Sequence, residues 1–72
     1  MIYIEGGIIM LTNREKDVLN LILECKSNRQ IAEELIISRD TVKAHVNHIF
    51  EKYQVHSRLE LIIKLFRNHM IE

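Results

Sequence analysis

Helix starts are written into this chain more plainly than any other feature. Three times a Ser or Thr is followed three residues later by Glu or Gln: Thr12 with Glu15, Ser27 with Gln30, and Ser57 with Glu60. In such a pair the hydroxyl accepts from an amide of the first turn, and the longer side chain reaches back to the amide of the capping residue. Ser38 marks a fourth start, as a plain N-cap. Four starts in 72 residues leave room only for short helices. The chain has no Pro and only Gly6 and Gly7, which disfavours a strand-rich fold with many hairpins. The expectation is an all-α domain.

Apolar spacing fills in the helices. The first, over 13–23, turns Val18, Leu19, Ile22 and Leu23 inward, with Leu11 preceding it, and places Glu15 and Asp17 where the helix dipole favours them. The second, over 28–35, turns in Ile31, Ala32 and Leu35; the small Ala32 suits a close helix crossing. Ile36 and Ile37 then form a short turn with Ser38, and a third helix runs to about residue 53. Its apolar residues Val42, Val46, Ile49, Phe50 and Tyr53 share one arc, while Asp40, Lys43, Ala44, Asn47 and Glu51 share another. A fourth helix spans 58 to about 69. Residues 1–10 (MIYIEGGIIM) read as an extended arm with one short strand-like piece, or as the remnant of a linker, ahead of a helical domain over 11–72.

Two short capped helices around a tight turn, the second with a polar outer face, make a helix-turn-helix, and that plan points to DNA. Hydrophobic residues make up 47% of the chain, enough for a compact core. Net charge is zero, with ten Lys and Arg against ten Asp and Glu, whereas nucleic-acid binders usually carry a basic excess. The distribution is uneven. Residues 25–58 hold six basic side chains (Lys26, Arg29, Arg39, Lys43, Lys52, Arg58) against four acidic (Glu33, Glu34, Asp40, Glu51). Local field, not the total, steers association.

Helix 4 carries more apolar surface than one interface needs. Leu61, Ile62 and Leu65 form one arc; Leu59, Ile63, Phe66 and Met70 form a second, with Arg58 and His69 between. The first arc is expected to face the core and the second to pair with its copy in a homodimer. The competing arrangement has the N-terminal arm cover the second arc within one chain.

Other chemistry finds little support. Cys25 is the lone cysteine, which rules out an internal disulfide and leaves a small, partly buried side chain or a redox sensor. His45 and His48 are three apart on one helix, but no third ligand is placed with them, so no metal is expected; a packing or phosphate contact suits His45 better. His69 falls at a helix C-terminus, where a cation is favoured. No paired carboxylates, activated nucleophile or Gly-rich phosphate loop is present, and no enzyme, cofactor or small-molecule ligand is expected. The apolar runs fall far short of the roughly 20 residues of a membrane span, and no signal peptide opens the chain. A cytoplasmic protein is expected.

The pattern resembles the LuxR/GerE family of bacterial transcription regulators, the module that also forms the output domain of NarL-type response regulators. The matching run is Leu11-Thr12-x-Arg14-Glu15, Val18-Leu19, Ser27-Asn28-x-x-Ile31-Ala32-x-x-Leu35, Ile37-Ser38-x-x-Thr41-Val42-Lys43-x-His45, Ile49-x-x-Lys52 and Val55-x-x-Arg58. The resemblance implies a four-helix domain with the third helix in the major groove and the fourth as dimer seam. With about ten residues ahead of the motif, the chain looks like the stand-alone, GerE-like form. Cys25 departs from the Gly usual in the first connection, and Leu61 from the usual Ala.

Site assignments follow. Lys43, Ala44 and Asn47 are the candidate base readers: Lys can donate to guanine, Asn can pair with adenine, and Ala can touch a thymine methyl. Ser27, Asn28, Arg29, Arg39, Thr41 and His56 are the candidate phosphate contacts. Partners expected are double-stranded DNA and a second copy of the chain, with RNA polymerase as a further candidate. Two other readings stand beside this one. One is a polymerase-associated module similar to the fourth region of sigma factors. The other is a protein-interaction adaptor that kept the fold and lost DNA affinity.

Overall fold

The computed structural model describes the backbone of residues 2–4 and 7–67, and side chains from Ile9 onward. Two short strands, β1 (Ile2–Ile4) and β2 (Gly7–Ile9), precede four helices: α1 (Asn13–Leu23), α2 (Asn28–Leu35), α3 (Arg39–Tyr53) and α4 (Arg58–Arg67). The helices carry the fold. The arm is more ordered than one strand-like piece, because β1 and β2 pair antiparallel with Ile2 opposite Ile9 and Ile4 opposite Gly7. Ile9 enters the core, so the hairpin is seated on the helices.

The capping expected at the first two starts is present in full. Thr12 Oγ1 accepts from the Glu15 amide at 3.1 Å, and Glu15 Oε1 accepts from the Thr12 amide at 2.9 Å. Ser27 and Gln30 repeat the exchange at 3.2 and 2.8 Å. Ser38 Oγ accepts from the Thr41 amide at 3.0 Å. The third box is only half formed. Ser57 Oγ accepts from the Glu60 amide at 3.1 Å, but the Glu60 carboxylate passes over Ser57 and takes the His56 amide at 2.7 Å.

Helices α1, α2 and α3 end in one shared way. Cys25, Ile36 and Gln54 adopt φ of 65°, 57° and 57°, and the next amide in each case turns back to a carbonyl five residues earlier. Those bonds are Lys26 to Leu21 at 3.0 Å, Ile37 to Ala32 at 3.0 Å, and Val55 to Phe50 at 3.0 Å. This is the Schellman closure, which satisfies the last helical carbonyls and normally uses Gly at the left-handed residue. A Gly at the Cys25 position would adopt this geometry without the steric cost of a Cβ. The same geometry corrects the view of Cys25 as partly buried: its side chain is exposed.

Helix α3 packs on both α1 and α2. Val18, Ile31, Val42, Ile49, Tyr53 and Leu61 are fully buried at the centre. Leu61, larger than the Ala that the resemblance leads one to expect, is taken wholly into the core. Leu21, which the apolar spacing does not single out, is also buried. Tyr53 is enclosed with its hydroxyl unpartnered among the described residues, and burial pushes that phenol up to about 12. Lys64 Nζ donates to the Tyr53 carbonyl at 2.9 Å, placing a cation at the C-terminal end of α3, where the helix dipole favours it.

Among the described residues Glu15 is the one charged side chain in the core, 3% exposed. Lys52 Nζ lies 2.5 Å from its Oε1 and also donates to the Met10 carbonyl at 3.0 Å, while His48 Nδ1 stands 4.0 Å from Oε2. Burial alone would raise the Glu15 carboxyl. The Lys52 hydrogen bond, the Thr12 amide and the Lys52 charge together outweigh it and hold the group below its ordinary 4.5. A carboxyl lowered in the folded state stabilises fully above its unfolded value and loses that stabilisation as pH falls through the folded value. The Glu15 contribution is therefore expected to be complete above pH 4.5 and to disappear below it. Thermal melts from pH 7 to pH 3 should show a smaller acid destabilisation for Glu15→Gln than for wild type. Equal pH dependence in the two would show that the ion pair contributes nothing.

Candidate nucleic-acid interface

The polar arc of α3 lies on the outside of the domain because the opposite arc is consumed by the core. Val42, Val46, Ile49 and Tyr53 are buried, and Phe50 is half-buried against them. A helix with one face fixed in this way has no freedom to rotate. Lys43, Ala44 and Asn47 are all exposed, and the side chains of Lys43 and Asn47 have no hydrogen-bond or ion-pair partner among the described residues. Asp40 and Glu51 are exposed on the same arc. The geometry presents one ammonium, one carboxamide and one methyl on adjacent turns, flanked by carboxylates.

The proposed phosphate residues surround this face unevenly. Arg39 and Thr41 stand at the start of α3, both exposed, with Thr41 Oγ1 2.8 Å from Ser38 Oγ. Ser27 and Arg29 are exposed at the start of α2, where the Ser27 hydroxyl is occupied by capping. Asn28 is half-buried and its Oδ1 accepts from Arg58. His56 is exposed in the α3–α4 connection. An open groove of about 430 Å³, lined by Asn47, Phe50, Glu51, Gln54, Val55 and His56, joins the recognition face to that connection. Glu51 and Gln54 were not among the expected contacts; their helical spacing from Asn47, at four and seven residues respectively, is the signal that carries them.

His45 is half-buried and His48 exposed beside Glu15. Among the described residues, no three His, Cys, Asp or Glu side chains are grouped to hold a metal, and no helix is long and apolar enough to cross a membrane. On α4, Leu61 and Leu65 are buried, and Leu59, Ile63 and Phe66 are 67%, 42% and 59% exposed. The two arcs therefore divide as their spacing implies, and the outer stripe is uncovered in the single chain. Met70 and His69 lie outside the described residues.

Such an arrangement defines a helix-turn-helix domain with a presented third helix. The chain belongs to the luxR family of bacterial regulatory proteins, a family of DNA-binding transcription regulators, whose pattern matches residues 10–65. It is 43% identical over 61 residues to the transcriptional regulatory protein LiaR of Bacillus subtilis, covering 85% of this chain and 29% of LiaR. It is 41% identical over 59 residues to the nitrate/nitrite response regulator protein NarL of Escherichia coli, covering 82% of this chain and 27% of NarL. Against the spore germination protein GerE of Bacillus subtilis it is 35% identical over 63 residues, covering 88% of this chain and 85% of GerE. The chain thus spans less than a third of LiaR and NarL and most of GerE.

The turn itself holds an energetic anomaly. Ile36 is β-branched, left-handed and 90% exposed, so it bears the steric cost of that conformation with almost no burial in return. A non-Gly residue there costs about 1–2 kcal/mol. Ile36→Gly is expected to raise stability by about 1 kcal/mol in urea unfolding; a decrease would mean that Ile36 packs in a way its exposure does not show.

Proposed function

We propose that this chain is the DNA-binding part of a cytoplasmic transcription regulator that acts as a homodimer. Helix α3 enters the major groove, with Lys43, Ala44 and Asn47 against base edges. Ser27, Asn28, Arg29, Arg39, Thr41 and His56 hold phosphates on either side. Leu59, Ile63, Phe66 and Met70 form the seam between two copies, so that the two recognition helices address half-sites about one helical turn apart. The observation that carries the reading is the pair of unpartnered donors, Lys43 and Asn47, on a helix whose opposite face is locked in the core. RNA polymerase is a further partner in this proposal. The similarity to LiaR, a transcriptional regulatory protein, and to NarL, a response regulator protein, supports the same reading.

Zero net charge favours a second reading, an adaptor that keeps the fold and binds protein. Salt dependence separates the two. Arg29 and Arg39 supply two guanidinium–phosphate contacts per protomer, four per dimer, which corresponds to a slope of log K on log salt of about −4. Fluorescence anisotropy with a random duplex is expected to show roughly a hundredfold loss of affinity between about 50 and 200 mM salt. On a selected site, Lys43→Ala is expected to weaken binding by about tenfold or more. No binding at the lower salt would replace the regulator with the adaptor.

The seam has its own test. Phe66→Glu puts a charge in the middle of the exposed stripe without touching the buried arc. Sedimentation equilibrium should show a wild-type dimer and a folded Phe66→Glu monomer. Two species of equal mass would remove α4 from the interface.

A further inference from the structure

Arg58 has a place in the fold that the family motif does not explain. It opens α4, is half-buried, and reaches back across the domain to the start of α2. One guanidinium nitrogen, Nη1, donates to the Lys26 carbonyl at 3.2 Å, and the other, Nη2, donates to Asn28 Oδ1. We propose that Arg58 is a positioning residue that aims the Asn28 carboxamide at a DNA phosphate and ties that contact to the helix bearing the dimer seam. This inference rests on the DNA-binding reading above.

The orientation follows from donor chemistry. A guanidinium has five donors and no acceptor, so the Asn28 atom facing it must be the carbonyl oxygen. The amide nitrogen is then held on the opposite side, and its two N–H groups have no partner among the described residues. The backbone amides of Asn28 and Arg29 are likewise unpartnered, because the capping box serves Gln30 and the Ser27 carbonyl serves Ile31. Side-chain and backbone donors therefore sit together at the positive end of α2, with the Arg58 charge directly behind the carboxamide. A bond to an ionised donor polarises the amide, so Asn28 donates more strongly than an unsupported Asn would.

The second consequence is mechanical. Leu59, the first seam residue, follows Arg58 directly in the chain, so a shift of α4 against α2 within a protomer moves both the seam and the guanidinium that holds Asn28. Dimer geometry and phosphate contact are then two readings of one side chain's position. Lysine could keep the charge but could not bridge the Lys26 carbonyl and Asn28 Oδ1 with a planar fork.

The experiment is anisotropy with the random duplex at about 50 mM salt for wild type, Asn28→Ala, Arg58→Lys, the double variant and Asn28→Asp, with a thermal melt for each. Asn28→Ala and Arg58→Lys should each lose about fivefold or more in affinity, and the double variant should be no weaker than the worse single one. Asn28→Asp keeps an acceptor for Arg58, so it should melt near wild type yet bind at least about tenfold more weakly, having put a carboxylate toward the phosphate. If the two single losses multiply in the double variant, or Asn28→Asp binds like wild type, Arg58 does not act through Asn28. If wild type itself does not bind, the DNA reading fails first and takes this inference with it.

Discussion

A single buried carboxylate connects the parts of this domain that local sequence would leave independent. Glu15 closes the start of α1 by accepting the Thr12 amide, and it draws Lys52 in from the far half of α3. Lys52 in turn holds the Met10 carbonyl at the end of the arm. Arm, α1 and α3 thus meet at one ion pair. Burying a carboxylate costs several kcal/mol unless its lone pairs are satisfied. Here an amide and an ammonium satisfy it, and the cost becomes a specification. Any packing that slides α3 along α1 leaves Glu15 charged and unpaired, so the register of the presented helix is fixed by a penalty on its alternatives.

The other constraint is repeated closure by left-handed residues. A helix-turn-helix needs α2 to stop sharply so that α3 can cross it closely, and the Ile37-to-Ala32 bond makes that stop. Ala32 is also where the crossing is tight, so one residue supplies both the acceptor that ends α2 and the small side chain that admits α3. Using Ile at the left-handed position of this turn is costly. That cost is borne by a core whose central residues are wholly buried. Strain at the entrance to α3 is outweighed by burial along its inner face.

How much of this could be read in the sequence depended on distance along the chain. The boundaries of α1, α2 and α3 were legible because capping is a local bargain between residues three apart, visible as Thr12 with Glu15 and Ser27 with Gln30. The split of α4 into a buried and an exposed arc was legible from periodicity. Lys52 meeting Glu15 and Arg58 meeting Asn28 were not, because they join residues 37 and 30 apart and no periodicity encodes them. The hairpin is only weakly encoded: β-branched residues flank Glu5 and Gly6 as in a hairpin, but Gly6 and Gly7 equally mark a break in the chain. Ser57 and Glu60 matched the box pattern, but a carboxylate at the third position can reach either of two neighbouring amides, and here it chose His56.

Neutral net charge looks different once pairings are known. Lys52 is spent on Glu15, Arg58 on the Lys26 carbonyl and Asn28, and Arg14 stands 3.6 Å from Asp17 on α1. Lys43, Arg39 and Arg29 have no such partner among the described residues. The field that an approaching polyanion meets is set by uncompensated charges within about a Debye length, roughly 10 Å at 0.1 M salt, not by the sum over the chain. Yet Asp40 and Glu51 stand on the same arc as Lys43 and Asn47, and they oppose close approach to any phosphate that the arc does not place correctly. A face with mixed charge attracts DNA weakly in the wrong register and loses less in the right one, where carboxylates can face cytosine amino groups instead of phosphates. Under the proposed reading, neutrality is the electrostatic form of discrimination: it would lower affinity for arbitrary sequence and leave the geometry of Lys43, Ala44 and Asn47 to decide what is held.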